Sequence, residues 1–170
     1  VILSRQFQIC QNPADFFCYC VNFFMKEQLK HPVFTIIGSV ADELNQPTFV
    51  IGGYVRDLLL GRPTSDIDIV TVGSGIELAE RVGRALRLKS KVTVFKNFGT
   101  AMLCYKEMEI EFVGARKESY LRNSRKPIVE DGTLEDDQKR RDFTINALAI
   151  SLNKETFGQL TDPFDGVKDL

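Results

Sequence analysis

The sequence predicts one α+β domain: a mixed β-sheet of about five strands with helices packed on one face. Short β-branched runs alternate with amphipathic stretches along the chain, which is the pattern of a sheet covered by helices. Two strand candidates in the middle flank the turn Asn97-Phe98-Gly99, and this hairpin argues against a doubly wound parallel sheet. The length of 170 residues, 44% of them hydrophobic, suits a single core.

The first half of the chain alternates helix and strand. Each helix candidate has apolar residues at helical spacing and is followed by a stop signal, such as Asn45-Gln46-Pro47 or Gly61 with Pro63. The predicted helices are Phe34–Leu44, Tyr54–Leu60 and Glu77–Leu88, and the predicted strands between them are Thr48–Ile51 and Ile67–Val72.

The second half begins with three strands, Lys91–Phe95, Thr100–Tyr105 and Met108–Val113. The polar segment Glu118–Gly132 is predicted to be a mobile loop. Thr133, with Asp136 three residues later, resembles a capping box, and it predicts the start of a long helix over Leu134–Leu152. A short strand or turn over Leu160–Gly166 follows.

Charge is balanced overall but uneven along the chain. The 22 basic and 23 acidic side chains leave a net charge of −1, yet Arg116–Lys126 is strongly basic and Glu130–Asp137 is acidic. Phosphate responds to local potential and not to the sum, so an RNA partner is compatible with this sequence.

Cysteine and histidine usage argues against a disulfide framework and a zinc site. Three of the four cysteines lie in the first twenty residues, and Cys104 alone falls within the patterned region. The single histidine, His31, precedes a proline, which favours a surface or capping role over a catalytic one. These features, with no apolar run of membrane-spanning length, favour a soluble protein of the reducing cytoplasm.

Residues 1–24 differ in character from the rest. They are rich in aromatic residues but have no basic leader and no small-residue cleavage site, so they make a poor signal peptide. We expect the native protein to start at Met25, with a genuine amphipathic extension as the alternative. A native product that begins well before Met25 in N-terminal sequencing would contradict this expectation.

The first chemical motif is Gly52-Gly53-Tyr54-Val55-Arg56-Asp57. Two glycines after a strand let the backbone approach a polyphosphate closely, with the amides of the next helix pointing at it. Arg56 lies one turn into that helix and offers a forked contact to phosphate oxygens. We therefore expect Gly52, Gly53 and Arg56 to bind a nucleotide.

The second motif is Asp66-Ile67-Asp68. Side chains alternate along a strand, so both aspartates project from one face and can share Mg²⁺. Glu111 on Met108–Val113 is the natural third carboxylate, and Glu109 shares its face. The alternative for the aspartates is a solvated edge strand, and the alternative for both glutamates is a half-exposed strand without a catalytic role.

The third motif is Arg140-Arg141-Asp142-Phe143-Thr144-Ile145-Asn146-Ala147. On the predicted long helix, Asp142 and Asn146 are four residues apart and therefore share a face. Together with Arg141 they can contact the phosphates and ribose hydroxyls of a nucleotide. A solvated charged surface is the alternative for this segment taken alone.

Together these motifs resemble those of the class II tRNA nucleotidyltransferases, the CCA-adding enzymes, and of the related bacterial poly(A) polymerases. Gly52 through Asp68 matches the family's first motif and Arg140–Ala147 its second, and the segment Asp162-Pro163-Phe164-Asp165-Gly166 also matches. The resemblance covers about Met25 to Leu170.

The resemblance implies a polymerase-beta-like nucleotidyltransferase head that uses Mg²⁺. It implies that Asp66 and Asp68 bind the metal, that Gly53, Arg56 and Arg141 contact the nucleotide, and that Glu111 matches the acidic position at the end of the family's third strand. The implied reaction is transfer of CMP or AMP from CTP or ATP to the 3′ end of RNA, with tRNA as the expected acceptor.

The chain departs from the family in its length. The family selects bases with a Glu-Asp-x-x-Arg motif in a neck domain, and the neck, body and tail domains have no counterpart here. We expect residues 25–170 to be a catalytic head from a longer protein. Three functions stay open: CCA addition, poly(A) tailing, and a nucleotide-binding head without selective catalysis of its own.

Overall fold

The computed structural model describes residues 25–88, 91–120 and 127–170. The prediction for residues 1–24 falls outside this range. The helices are α1 (Pro32–Glu43), α2 (Gly53–Leu59), α3 (Gly75–Ala85) and α4 (Leu134–Lys139). The strands are β1 (Thr48–Ile51), β2 (Asp66–Thr71), β3 (Thr93–Phe95), β4 (Thr100–Tyr105), β5 (Met108–Gly114), β6 (Arg116–Tyr120), β7 (Pro127–Asp131), β8 (Ala149–Ser151) and β9 (Leu160–Thr161). Short 3₁₀ turns lie at Lys96–Phe98, Thr144–Asn146, Lys154–Thr156 and Gly166–Asp169.

The main sheet has seven strands in the order β3-β4-β5-β2-β1-β8-β9. The β2–β5 pair is parallel, and the other described pairs in this sheet are antiparallel. The α+β class and the mixed sheet are therefore confirmed. The strand count exceeds the expected five because β8 and β9 arise from segments that were predicted as part of a helix and as a strand or turn.

The main core lies between helices α1, α2 and α3 and one face of the sheet. Alternate strand residues such as Val50, Ile69 and Phe112 are completely buried there against α1 and α3, as period-two alternation requires. A smaller apolar cluster on the opposite face joins Ile51 and Val70 and is covered by Leu134 of α4. The opposite face carries the acidic residues of β2 and β5.

Side chains cap three of the helices. His31 accepts a hydrogen bond from the Val33 amide at 3.2 Å through Nδ1, which confirms its predicted capping role. Ser74 caps α3 in the same way. Thr133 and Asp136 form the predicted capping box at the start of α4.

The predicted long helix over Leu134–Leu152 is wrong. Helix α4 ends at Lys139, a 3₁₀ turn follows at Thr144–Asn146, and Ala149–Ser151 pairs with β1 as a strand. Ala149, Ile150 and Ser151 are buried, so sheet pairing buries this segment better than a helical stripe would. Tertiary packing of this kind routinely overrides local periodicity.

The predicted loop over Glu118–Gly132 is also wrong at both of its ends. Strands β6 and β7 pair in antiparallel register, with Arg116 opposite Asp131 and Lys117 opposite Glu130. Residues 121–126 lie outside the described range. At two of the paired positions residues of opposite charge lie opposite each other, an arrangement that favours strand pairing where apolar alternation is missing.

Within the described ranges, none of the helices combines the length and the apolar composition that spanning a bilayer requires.

Candidate active site

Helix α2 begins where β1 ends, at Gly52. Gly52 has φ 77° and ψ −137° and forms the N-cap, and no side chain caps this helix. A Cβ atom at Gly52 would lie 3.3 Å from both Asp68 Oδ2 and Arg141 Nη1. The glycine therefore permits a carboxylate and a guanidinium to approach the first turn of the helix together.

The paired aspartates lie on β2 as predicted. Asp66 is exposed and Asp68 is half-buried, whereas Ile67 and Ile69 between and after them are buried on the helix side. The parallel neighbour β5 places Glu111 beside Asp68 and Glu109 beside Asp66. Four carboxylates therefore share one face of two adjacent strands.

The pKa of the Asp68 carboxyl is shifted by the groups around it. Burial raises the pKa of its carboxyl, the Arg141 guanidinium acts to lower it, and the nearby Glu111 and Asp66 raise it further. A partly buried carboxylate beside other carboxylates is a site where a bound cation would relieve repulsion.

Arg141 is held by a buried carboxylate. Asp137 is fully buried and accepts hydrogen bonds through Oδ2 from Arg141 Nε at 3.1 Å and Nη2 at 2.9 Å. The other oxygen, Oδ1, accepts from Arg140 Nε and Nη2. The remaining Arg141 nitrogen, Nη1, lies 3.4 Å from the Asn146 carbonyl oxygen, on the side of Gly52 and Asp68.

Arg56 faces Asp57 and Asn146. Its Nε and Nη2 donate to the two Asp57 oxygens at 3.0 and 2.9 Å, and its Nη1 donates to Asn146 Oδ1 at 2.9 Å. The Arg56 hydrogen bond holds the pKa of the Asp57 carboxyl below its usual range. The side chain of Asn146 thus joins α2 to the turn that follows Arg141.

Asp142 does not share a helical face with Asn146, because α4 ends before both residues. Asp142 is exposed and takes no part in the hydrogen bonds that join Arg56 to Asn146 or Arg141 to Asp137. The expectation that one helix presents Arg141, Asp142 and Asn146 is therefore corrected: a helix end, followed by a turn, brings Arg141 and Asn146 together.

Asp137 and Gln138 were missed by sequence reasoning. Gln138 is buried, and its Nε2 donates to the Ala147 carbonyl at 2.6 Å, which fixes the turn after α4. The signal for Asp137 was its spacing of three and four residues before Arg140 and Arg141, which puts a carboxylate within reach of both guanidinium groups on one helix face.

No preformed metal cage exists within the described ranges, since no three His, Cys, Asp or Glu side chains are grouped to hold an ion. The donors present are nonetheless of the right kind. Mg²⁺ in nucleotide enzymes takes one or two carboxylates, with substrate phosphates and water supplying the other ligands. Asp66 and Asp68 fit that donor set.

Two aspartates on a strand of a mixed sheet, beside a helix that begins at a glycine, are the features of a nucleotidyltransferase head domain. Residues 48–170 match the family model described as the Poly A polymerase head domain, and the chain belongs to this family.

Curated relatives agree with the family match. The chain is 47% identical over 122 residues to the A-adding tRNA nucleotidyltransferase of Aquifex aeolicus, a match covering 72% of this chain and 15% of that protein. It is 41% identical over 150 residues to the A-adding tRNA nucleotidyltransferase of Geobacter sulfurreducens, with 86% and 17% covered. The chain thus spans less than a fifth of these relatives.

Solved structures are similar as well. A CCA-adding enzyme in an apo form superposes with a TM-score of 0.73 at 44% identity, over 81% of this chain and 32% of that one. A tRNA nucleotidyltransferase in complex with a primer tRNA and an incoming ATP analogue gives 0.68 at 40% identity, over 78% and 36%.

Proposed function

We propose that this head catalyses template-independent transfer of a nucleotide to the 3′ end of RNA, with tRNA as acceptor and pyrophosphate as leaving group. The observation that supports this best is the closeness of Asp68 and Arg141 to Gly52. A Cβ atom placed on Gly52 would lie 3.3 Å from a side-chain atom of each. A cation site and an anion-binding group therefore adjoin the same helix start, as a metal–triphosphate donor requires.

The nucleotide donor lies over Gly52 and Gly53 in this proposal. Its phosphates accept hydrogen bonds from the first amides of α2 and from Arg141 Nη1, the nitrogen that Asp137 does not engage. Arg56 and Asn146 already bind each other, so they hold α2 against the turn and leave the more direct phosphate contact to Arg141.

Asp66 and Asp68 are the residues that would hold Mg²⁺, with Glu111 beside them. When bound, the ion supplies charge neutralisation for the triphosphate. Glu111 is exposed and adjacent to Asp68 on the parallel strand, where its carboxylate can accept the proton of the attacking 3′ hydroxyl.

The acceptor and the bases added are inferred from the relatives. Two of them are named A-adding tRNA nucleotidyltransferases, and a similar structure holds primer tRNA with an ATP analogue. These names favour tRNA over other RNA and ATP as one donor. Addition of the whole CCA sequence is supported by the relatives named CCA-adding enzymes. Addition of AMP alone is the second candidate, because the two relatives above are named A-adding enzymes.

The test uses tRNA transcripts that end before the CCA sequence, after its first C, or after CC, each incubated with labelled CTP or ATP. Stepwise growth that stops at CCA supports full addition, and AMP incorporation confined to the transcript ending in CC supports A-addition. Long adenylate tails would instead identify a poly(A) polymerase, and no incorporation with any transcript would contradict transferase activity of this chain.

We infer further that the 170-residue chain binds Mg-nucleotide with little base preference. The groups that line the described site are backbone amides, carboxylates and guanidinium groups. Such groups recognise phosphate and metal, and they do not distinguish one base from another. Calorimetric titration with ATP, CTP and GTP should give similar affinities, and strong selectivity for one of them would contradict this.

A further inference from the structure

One face of the sheet continues past the carboxylates towards β3. Asp68 pairs with Glu111, and Glu111 pairs with Met102 of β4. One row further along the strands, Thr100 of β4 pairs with Phe95 of β3. Paired residues in neighbouring strands share a face, so Phe95 projects on the same side as Asp68, about three strand spacings or roughly 15 Å across the sheet.

Two aromatic rings are exposed at this end of the sheet. Phe95 is 41% exposed and Phe98, in the turn after it, is 68% exposed. The neighbouring Val94 projects from the other face and packs against the helix-side core. This packing holds β3 in place and leaves Phe95 on the face that the helices do not cover. Met102 lies half-buried between Phe95 and the carboxylates.

Basic groups border the two rings. Lys96 is exposed in the turn, and Arg116 Nη2 donates to the Phe98 carbonyl oxygen. The turn closes through Gly99, at φ 62°, where a Cβ would lie 3.8 Å from Arg116 Nη2. The start of the basic stretch singled out in the sequence is thereby brought against the aromatic hairpin. We call Phe95, Lys96, Phe98 and Arg116 the hairpin surface.

We propose that the hairpin surface binds the unpaired nucleotides that precede the 3′ end of the RNA acceptor. The proposal rests on the proposed function. Exposed aromatic rings bordered by Lys and Arg recognise single-stranded nucleic acid by base stacking and phosphate contact. An apolar partner would not need the cations, and a duplex would not present free base faces.

The direction of approach follows from the sheet order. The donor nucleotide lies over Gly52, on the β1 side of Asp68, because β1 pairs with β2 on the edge opposite β5. The attacking 3′ hydroxyl therefore reaches the reacting centre from the β5 side, where Glu111 lies. Since Glu109 and Glu111 repel phosphate, the RNA backbone follows the basic edge at Lys96 and Arg116, and its bases cover Phe95 and Phe98.

The experiment measures binding of a fluorescein-labelled, unpaired RNA hexamer ending in CC by fluorescence anisotropy. Phe95→Ala and Phe98→Ala should each weaken binding roughly tenfold, the usual loss of one base–aromatic stack, and Phe98→Tyr should restore most of it. Lys96→Gln should weaken binding less and reduce its salt dependence. Phe164→Ala, which removes another exposed ring, is the matched control and should change nothing.

The same variants are titrated with Mg-ATP and heated to their melting temperature. Unchanged nucleotide affinity and unchanged melting with weakened RNA binding support the proposal. RNA affinity that is unchanged in both alanine variants overturns it, while absence of Mg-ATP binding in the unaltered protein counts against the proposed function instead. Loss of self-association in sedimentation, with RNA binding intact, would make the hairpin surface an interface between two copies and would also overturn the proposal.

Discussion

The buried carboxylate of Asp137 fixes the position of the Arg141 guanidinium. The carboxylate is fully buried and receives two hydrogen bonds from Arg141, at 3.1 and 2.9 Å, and two from Arg140. Only Nη1 of Arg141 is directed towards Gly52 and Asp68. A guanidinium restrained in this way loses little side-chain entropy when a phosphate binds, which is the advantage of a preorganised site.

Replacing Asp137 should therefore damage both stability and nucleotide binding. Asp137→Ala leaves two guanidinium groups beside an empty buried position and should cost about 3–5 kcal/mol of unfolding free energy. Asp137→Asn keeps the shape but not the charge, so it should retain the fold while weakening Mg-ATP binding about tenfold. Denaturant unfolding and calorimetric titration measure the two effects.

The matched control for Asp137 is Glu135→Gln on the same helix. Glu135 pairs with Lys139 at 2.7 Å, but both side chains are more than half exposed, and such pairs contribute little. The control should leave both quantities unchanged. Asp137→Asn with unaltered nucleotide affinity would contradict the positioning role.

The fold was largely predictable wherever apolar periodicity set it. Strand β1 was predicted with its bounds, and the remaining strands up to β5 were found close to theirs, because the residues on their helix-facing side are apolar and pack into the core. Two features had no such signal. Strands β6 and β7 pair with each other inside a segment that was predicted as a loop, and β8 forms because β1 offers it a partner.

The site shows the same division. Asp66 and Asp68 could be placed on one face from the strand period alone, and the structure confirms that placement. The contact between Arg56 and Asn146 joins residues ninety positions apart in sequence, and no local pattern could indicate it. Neither could the closeness of Arg141 to Gly52, which depends on where α4 ends.

Gly52→Ala should abolish nucleotide binding. The residue has a positive φ of 77°, and a methyl group would lie 3.3 Å from Asp68 Oδ2 and Arg141 Nη1, where phosphate is proposed to bind. Backbone strain alone should cost about 1–3 kcal/mol.

Gly61→Ala is the control for Gly52→Ala, because it introduces the same kind of backbone strain without a close contact. Gly61 has a similar φ of 66°, yet nothing lies within 4 Å of its Cβ position. It should lower the melting temperature while leaving Mg-ATP affinity intact. Equal affinity losses in the two variants would indicate that strain, and not the contact at Gly52, governs binding.

Asp68→Asn should raise the stability of the metal-free protein while abolishing transfer activity. Burial raises the pKa of Asp68, so the folded state holds its proton more tightly than the unfolded state does. The ionised carboxylate therefore destabilises the fold at neutral pH, and this cost disappears as pH falls through the raised folded value.

The melting temperature of Asp68→Asn should accordingly exceed that of the unaltered protein by a few degrees near pH 7, with the difference shrinking in acid. Added Mg²⁺ with ATP should raise the melting temperature of the unaltered protein only. Asp165→Asn, at an exposed position, serves as control. Retained activity or undiminished Mg-ATP stabilisation in Asp68→Asn would contradict the metal assignment.

His31 should make stability depend on pH in the opposite sense. Its Nδ1 accepts a hydrogen bond from the Val33 amide at 3.2 Å, which only the neutral ring can do. Burial and the nearby Lys106 lower the pKa of His31 below 6.5, so the folded state binds this proton less readily than the unfolded state. The stabilisation is therefore present above the unfolded value and is lost as pH falls through the folded one.

His31→Asn keeps a side-chain acceptor at the N-cap without the titration. Between about pH 8 and pH 7 the two proteins should melt with a constant difference, and from about pH 6.5 to pH 5 the unaltered protein should lose a few degrees relative to the variant. Because all other titrating groups are shared, they cancel in this difference. Curves that stay parallel over the whole range would mean that the cap at His31 is not coupled to its protonation, and the cap would then contribute equally in acid and at neutral pH.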